Sequence, residues 1–203
     1  MGKSLTNVIL GSGSPRRREL LKQMGINFRV IVSTNDETFS TDIDPEKVPE
    51  YLAQKKAIDV SLNSEIKPEE LLITVDTIVI TKDQILNKPS DTNEAIEMLK
   101  ILAGKTHQVI SGVCLSKDNS QITFSESTSV LFSELTNEEI EFYVRQYNPL
   151  DKAGAYGIQD WIGKIGIKKI NGCYYNVVGL PTQRLWREIK NYFPLSEFGE
   201  RMK

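Results

Sequence analysis

Apolar runs and amphipathic stretches alternate along this chain, a pattern that indicates an α/β fold. Apolar runs predict strands, and polar stretches with apolar positions three and four residues apart predict helices. The predicted strands cover residues 8–10, 28–32, 71–80, 107–116, 121–132 and 165–170. The predicted helices cover residues 45–62 and 92–102 and begin at Pro15, Thr136 and near Pro181. Gly104 is placed to end the helix over 92–102, and Thr136 to Glu139 has the form of a capping box.

Composition limits the classes of protein that this chain fits. It has 203 residues, 26% of them charged, and a formal net charge of −2, which argues against broad nucleic-acid binding. We expect one catalytic domain over residues 1–193, with two lobes around a cleft, and a polar tail over 194–203. No segment reaches the length of a membrane span, and the first six residues lack a signal-peptide core, so we expect a cytoplasmic protein. The two cysteines, Cys114 and Cys173, stand in apolar strand-like runs and are predicted to be buried thiols.

The first predicted strand runs through Gly11-Ser12-Gly13-Ser14-Pro15 into a helix that opens with three arginines. Ser14 is placed to cap this helix, and Pro15 stands where its missing N–H costs nothing. Basic residues usually occupy the other end of a helix, because the N-terminus already favours anions. A polyphosphate bound at the turn would explain the three arginines. A solvated basic helix start is the alternative.

An acid interrupts the most apolar run of the chain. Asp76, with Thr77, is flanked by Leu71–Val75 and Ile78–Ile80, and a carboxylate buried there would be costly without a partner. It could be presented to a metal or a water, or it could be a hydrogen-bonded structural acid. Residues 33–37 add a second acidic pair, and Lys56 and Lys88 are further cationic candidates, although lone lysines are usually solvated.

Five motifs together resemble the Maf family of nucleoside triphosphate pyrophosphatases. They are Ser-Gly-Ser-Pro-Arg-Arg, Asp-Thr-Ile-Val, Lys-Pro, Asp-Lys-Ala-Gly-Ala-Tyr-Gly-Ile-Gln and Val-Val-Gly-Leu-Pro, in the family's order from Val8 to about Phe193. The resemblance implies a fold like that of the inosine triphosphate pyrophosphatases, an elongated mixed sheet flanked by helices with a central cleft. It also implies a cytoplasmic homodimer that splits a nucleoside triphosphate into the monophosphate and pyrophosphate.

The resemblance also implies roles for individual residues. Asp76 matches the family's catalytic base. Arg16, Thr77 and Gln159 fall at positions that distinguish substrate classes, and together they look like the branch that acts on dTTP and UTP. Charged positions lining the family's cleft are matched by Arg17, Lys56, Lys88 and Glu37. The chain departs from the family's common pattern at Val75, where alanine is more usual, and in the residues before Glu37.

A mechanism follows as a hypothesis. The backbone of Ser12, Gly13 and Ser14 would hold the phosphate chain with Arg17, and Lys56 and Lys88 would complete a cationic cradle. Asp76 would orient and deprotonate the attacking water, and Glu37 would join Asp76 in holding Mg²⁺ or Mn²⁺. Gln159 offers a donor and an acceptor to the imide edge of uracil or thymine, and Arg16 can donate to a pyrimidine carbonyl.

Other chemistries fit less well, and two other functions stay open. One histidine and two distant cysteines cannot assemble a closed zinc site, and His107 is interpreted as a structural residue. The chain has neither a Gly-x-Ser-x-Gly elbow nor a P-loop. The open alternatives are a non-catalytic nucleotide-binding regulator of division or septation and a phosphatase acting at the terminal phosphate.

Overall fold

The computed structural model describes residues 7–82, 84–118 and 120–192, so the predicted tail over 194–203 lies outside the described residues. Its strands are β1 (Val8–Leu10), β2 (Phe28–Val30), β3 (Leu71–Ile80), β4 (Ile85–Leu86), β5 (Thr106–Lys117), β6 (Ser120–Phe132) and β7 (Ile167–Asn171). Its α-helices are α1 (Pro15–Gln23), α2 (Val48–Asn63), α3 (Thr92–Leu102), α4 (Asn137–Tyr147), α5 (Trp161–Gly166), α6 (Tyr174–Val178) and α7 (Thr182–Ile189). Single 3₁₀ turns lie at Pro45–Lys47, Pro149–Asp151 and Ala153–Ala155.

The strands form one mixed sheet, which confirms the predicted α/β fold. Its order is β2-β1-β3-β5-β6-β7, and β4 pairs with β3. β1 runs parallel to β2 and to β3, with Val8 opposite both Phe28 and Leu71, whereas β6 and β7 are antiparallel. Because β3 has neighbours on both edges and buried residues on both faces, it reads as an almost continuous apolar run. Asp76 therefore stands on an internal strand.

The described chain divides into two compact units. The first contains residues up to Asp76, residues 111–126 and residues from Gly179 onward, and the second contains 77–110 and 127–178. In the first unit, α2 packs Ala53, Ala57 and Val60 against Ile9 of β1 and Leu72 of β3. The Thr74 hydroxyl, buried on β3, donates to the carbonyl oxygen of Ala53 at 2.6 Å, which fixes α2 on the strand that carries Asp76.

The second unit has an aromatic core. His107, Phe132 and Tyr156 meet edge to face, with ring centroids 4.9 to 5.4 Å apart. Nε2 of His107 lies 2.8 Å from the Tyr156 hydroxyl, and burial lowers the pKa of this histidine to about 4. His107 is therefore neutral near pH 7, in keeping with a structural role.

Most predicted elements are present, with differences in detail. The strand predicted over 28–32 ends at Val30, and residues 45–47 of the helix predicted over 45–62 form a 3₁₀ turn. Residues 165 and 166 end α5, so the strand predicted over 165–170 begins only at Ile167. Cys173 is half-buried in the turn between β7 and α6, whereas Cys114 is buried on β5 as predicted, and both thiols are free. Within the described residues, no helix combines the length and apolar character that a membrane crossing requires.

Candidate functional site

The turn between β1 and α1 packs closely against β3. The N–H of Gly11 donates to the carbonyl oxygen of Ile73 at 2.8 Å, and a Cβ at Gly11 would lie 2.5 Å from Cγ2 of Thr74. Only glycine permits this approach. Ser14 stands at the N-cap with an extended backbone, but its side chain makes no capping bond; its N–H donates to Oγ of Ser12 at 3.3 Å. The turn is therefore shaped by Ser12 and not by the predicted cap.

Arg17 is fastened to the protein by its guanidinium. Nη1 donates to Oγ of Ser12 and to the carbonyl oxygen of Val75, and Nε donates to the carbonyl oxygen of Gly179, each at 2.9 Å. Burial lowers the pKa of Arg17 to about 10, an effect that the charge of Asp76 opposes. Three of its five N–H groups thus hold the turn, the middle of β3 and the segment between α6 and α7 in place. Its predicted role in phosphate binding stays a prediction.

Lys56 joins the two predicted metal-binding acids. Its Nζ donates to Oδ1 of Asp76 at 2.5 Å and to Oε1 of Glu37 at 2.9 Å. The Asp76 and Lys56 side chains are 8% and 12% exposed, whereas Glu37 is 44% exposed. The cost of burying Asp76 is therefore offset by a charged partner from α2. Three residues predicted separately are brought together in the first unit.

The loop that carries Glu37 is held by α2. Oδ2 of Asp59 accepts from Oγ of Ser33 at 2.7 Å and from the N–H groups of Thr34 and Asn35 at 2.8 and 3.3 Å. These bonds lower the pKa of Asp59. Nζ of Lys55 pairs with Asp36 at 2.7 Å. Sequence reasoning missed Lys55 and Asp59, although their spacing places them on the same side of α2, next to Lys56.

The predicted role of Asp76 and Glu37 in holding a divalent cation stays a prediction. Asp76 and Glu37 offer carboxylate oxygens, and the ammonium of Lys56 already occupies a position between them where a positive charge is favourable. Across the described ranges, no group of three or more histidine, cysteine, aspartate or glutamate side chains could hold a metal.

Of the other predicted residues, Arg16 is half-buried at the start of α1 in the first unit, and Thr77, Lys88 and Gln159 belong to the second unit. Thr77 is half-buried on β3, and Lys88 and Gln159 are exposed. The N–H of Gly154 donates to the carbonyl oxygen of Asn87 at 3.1 Å, which joins the loop before α3 to the segment before α5. Gly154 has φ +68°, and a Cβ there would lie 2.9 Å from Val79. This bond places the segment of Lys88 beside Gly154, five residues before Gln159.

Fold and site define a class of protein: a mixed α/β fold with a glycine–serine turn opening α1 and an acid–lysine–acid cluster at β3. The model of the Maf-like protein family matches residues 7–192, and the chain belongs to that family. It is 48% identical over 184 residues to a dTTP/UTP pyrophosphatase of Phocaeicola vulgatus, covering 90% of this chain and 94% of that protein. A dTTP/UTP pyrophosphatase of Porphyromonas gingivalis is 46% identical over 186 residues, covering 91% and 94% of the two chains. One from Christiangramia forsetii is 46% identical, covering 90% and 92%. The resemblance expected from the motifs is confirmed.

Proposed function

We propose that the chain hydrolyses dTTP and UTP to the monophosphate and pyrophosphate. Three relatives that carry this name are 46 to 48% identical over at least 90% of the chain. The geometric observation that carries the chemistry is the Asp76 carboxylate, nearly buried on β3 and paired with Lys56. A carboxylate in this setting is the group that can orient and deprotonate a water.

The first unit supplies the proposed phosphate-binding groups. The backbone N–H groups of Ser12, Gly13 and Ser14 stand at the start of α1, where the helix favours an anion. Arg17 adds a positive charge that three protein hydrogen bonds fix in position. Lys56 completes this part of the cradle, and the family resemblance implies that Lys88 also contacts the phosphate chain.

Asp76 is proposed to act on the attacking water. Lys56 holds the carboxylate in one orientation while the water approaches, because its ammonium donates directly to Oδ1. Glu37 and Asp76 would hold Mg²⁺ or Mn²⁺, which would neutralise charge on the phosphates when bound. Positioning and electrostatics dominate phosphoryl transfer, so this arrangement suits cleavage between the α- and β-phosphates.

Base selection is assigned to Arg16, Thr77 and Gln159. The Gln159 amide can accept from N3–H of uracil or thymine and donate to a neighbouring carbonyl. Cytosine presents a lone pair at N3, so the same amide would be left partly unpaired.

We further propose, from the family resemblance, that the protein works as a homodimer in the cytoplasm. Sedimentation of the purified protein tests the dimer.

A nucleotide panel with Mg²⁺ or Mn²⁺, following pyrophosphate and orthophosphate separately, tests the reaction. We expect pyrophosphate from dTTP and UTP and little from CTP or GTP. Orthophosphate alone would support a phosphatase acting at the terminal phosphate. No product from any nucleotide, with binding retained, would support a nucleotide-binding regulator.

The role of Asp76 has its own test. Asp76→Asn should abolish turnover while the protein still binds dTTP in a calorimetric titration. Glu97→Gln removes one negative charge from the exposed side of α3 and should leave both quantities unchanged. Normal turnover in Asp76→Asn would refute the assignment of Asp76 as the base.

A further inference from the structure

The turn that carries Gln159 is closed by a tyrosine hydroxyl from another helix. The Gln159 turn, defined here as residues 157–160, lies just before α5. The N–H of Gly157 donates to Oη of Tyr143 at 3.0 Å, and the Tyr143 hydroxyl donates to Oδ2 of Asp160 at 2.7 Å. The N–H of Asp160 donates back to the carbonyl oxygen of Gly157 at 3.0 Å. These three hydrogen bonds fix both ends of the turn.

The Tyr143 hydroxyl is buried, and both of its hydrogen bonds are made to the Gln159 turn. Tyr143 on α4 is fully buried, and its hydroxyl is both donor and acceptor, as a buried phenol requires. Burial and the neighbouring Asp160 carboxylate raise the pKa of Tyr143, so the hydroxyl keeps the proton that it donates. A Cβ at Gly157 would collide with Oδ2 of Asp160, so glycine is required for the carboxylate to sit there.

A lysine holds the backbone at the position of Gln159 itself. Nζ of Lys164, one turn into α5, donates to the carbonyl oxygens of Gln159 and of Asp160. The backbone around Gln159 is therefore fixed by side chains from α4 and α5, while the Gln159 side chain is exposed. The point from which the exposed Gln159 side chain extends is therefore fixed by the turn.

We propose that Tyr143 and Asp160 are positioning residues that set the direction of the Gln159 amide and thereby the selectivity for uracil and thymine over cytosine. This inference rests on the proposed function, in which Gln159 pairs with the imide edge. An amide distinguishes N3–H from a bare N3 only while its oxygen and nitrogen are held in register with the base. Loosening the Gln159 turn would lower selectivity without touching the phosphate chemistry.

Three variants and one control separate this role from general packing. Tyr143→Phe removes the hydroxyl and keeps the ring, and Asp160→Ala removes the acceptor. Asp160→Asn keeps an oxygen that can accept from Tyr143 and should rescue. Tyr147→Phe is the matched control, because Tyr147 stacks on Tyr143 from the same helix and is 42% exposed.

The measurements are KM and kcat for UTP and CTP, together with turnover of ribose 5-triphosphate, which has no base. Tyr143→Phe and Asp160→Ala should raise KM for UTP and reduce the UTP/CTP ratio of kcat/KM about tenfold, the equivalent of one hydrogen bond. Turnover of ribose 5-triphosphate should stay within about twofold of the wild type, as should every quantity in Asp160→Asn and Tyr147→Phe. If Tyr143→Phe does not fold, Asp160→Ala decides alone.

A double variant identifies which part fails. If Tyr143 acts through Gln159, then Tyr143→Phe should change selectivity no further in a Gln159→Ala background. Additive losses there would overturn the positioning role, as would equal losses on UTP and ribose 5-triphosphate. Unchanged selectivity in Tyr143→Phe and Asp160→Ala, beside a loss in Gln159→Ala, overturns the positioning role and leaves the proposed function standing. Unchanged selectivity in Gln159→Ala overturns both the role of Gln159 and the inference built on it.

Discussion

The ion pair of Lys56 with Asp76 should contribute far more to stability than an ion pair of similar length on the surface. Nζ and Oδ1 are 2.5 Å apart, and the two side chains are 12% and 8% exposed. Lys56→Met keeps most of the apolar stem and removes the charge. The Asp76 carboxylate would then remain on an internal strand without the ammonium that bonds to it.

The loss of stability expected in these variants follows from the burial and the length of the ion pair. At an effective dielectric constant of about 20, the attraction at this distance is about 6 to 7 kcal/mol before desolvation is subtracted. Removing one partner of a buried pair typically costs about 3–5 kcal/mol. The second partner, Glu37, is half-exposed, so we expect about 3 kcal/mol for Lys56→Met. Asp76→Asn should cost less, about 1 kcal/mol, because Lys56 keeps Glu37 and the new amide oxygen still accepts a hydrogen bond.

A double-mutant cycle measured by urea unfolding at pH 7 tests the estimate. Lys56→Met, Asp76→Asn and their combination should give a coupling free energy of about 2 kcal/mol. The control cycle uses Lys100 and Glu97, whose charges are 2.8 Å apart but whose side chains are 41% and 66% exposed. Its coupling should be about 0.5 kcal/mol or less. A Lys56–Asp76 coupling no larger than that of the control would refute the reasoning.

Three further predictions concern stability, each followed by urea unfolding. Both carboxylate oxygens of Glu70 accept from Arg29 at 2.8 Å, which lowers the pKa of Glu70 below 4.5. The resulting stabilisation is present above pH 4.5 and is lost as the pH falls through the pKa of the folded state. Arg29→Met should therefore make the free energy of unfolding depend less on pH in the acid range. Burial lowers the pKa of His107 from 6.5 to about 4, so the unfolded chain binds a proton at a higher pH than the folded protein. The free energy of unfolding should therefore fall as the pH drops from 6.5 to 4, and it should fall less in His107→Gln. The same pH dependence in His107→Gln as in the wild type would contradict this. Thr136 completes a capping box with Glu139, so Thr136→Ala should cost about 1 kcal/mol while Thr136→Ser stays within about 0.5 kcal/mol.

Helices with capping residues at both ends could be predicted from the sequence. α3 spans the predicted residues 92–102, because Asp91 caps its first turn through the N–H of Glu94 and Gly104 follows its end with φ +70°. The strand predicted over 165–170 is wrong at residues 165 and 166, since a short apolar run has no periodicity that separates helix from strand. There the tertiary structure decides, because Gly163 lets α5 pack against the carbonyl group of Ile158.

The candidate site was predictable as a set of residues but not as a geometry. Asp76 was identified because an acid in an apolar strand needs a partner, yet nothing local names that partner. Lys56 lies 20 residues before Asp76 and 19 after Glu37, and only the packing of α2 on β3 makes it bond to both. The role of Asp59 is still harder to predict, because three of the hydrogen bonds that its carboxylate accepts come from a loop without regular structure.

Arg17 shows why the partner of an arginine is hard to predict from the sequence. Three arginines at a helix start predict a bound polyphosphate, because a guanidinium fork matches phosphate oxygens. The same fork matches a hydroxyl and backbone carbonyl groups, and Arg17 bonds to Ser12, Val75 and Gly179 in that way. Its pKa of about 10 leaves it charged at neutral pH, so it still contributes a positive potential beside the turn. Bonding to the protein is therefore compatible with binding a phosphate. The Arg17 side chain loses its conformational entropy on folding, so an incoming phosphate meets a positive charge that is already fixed in position.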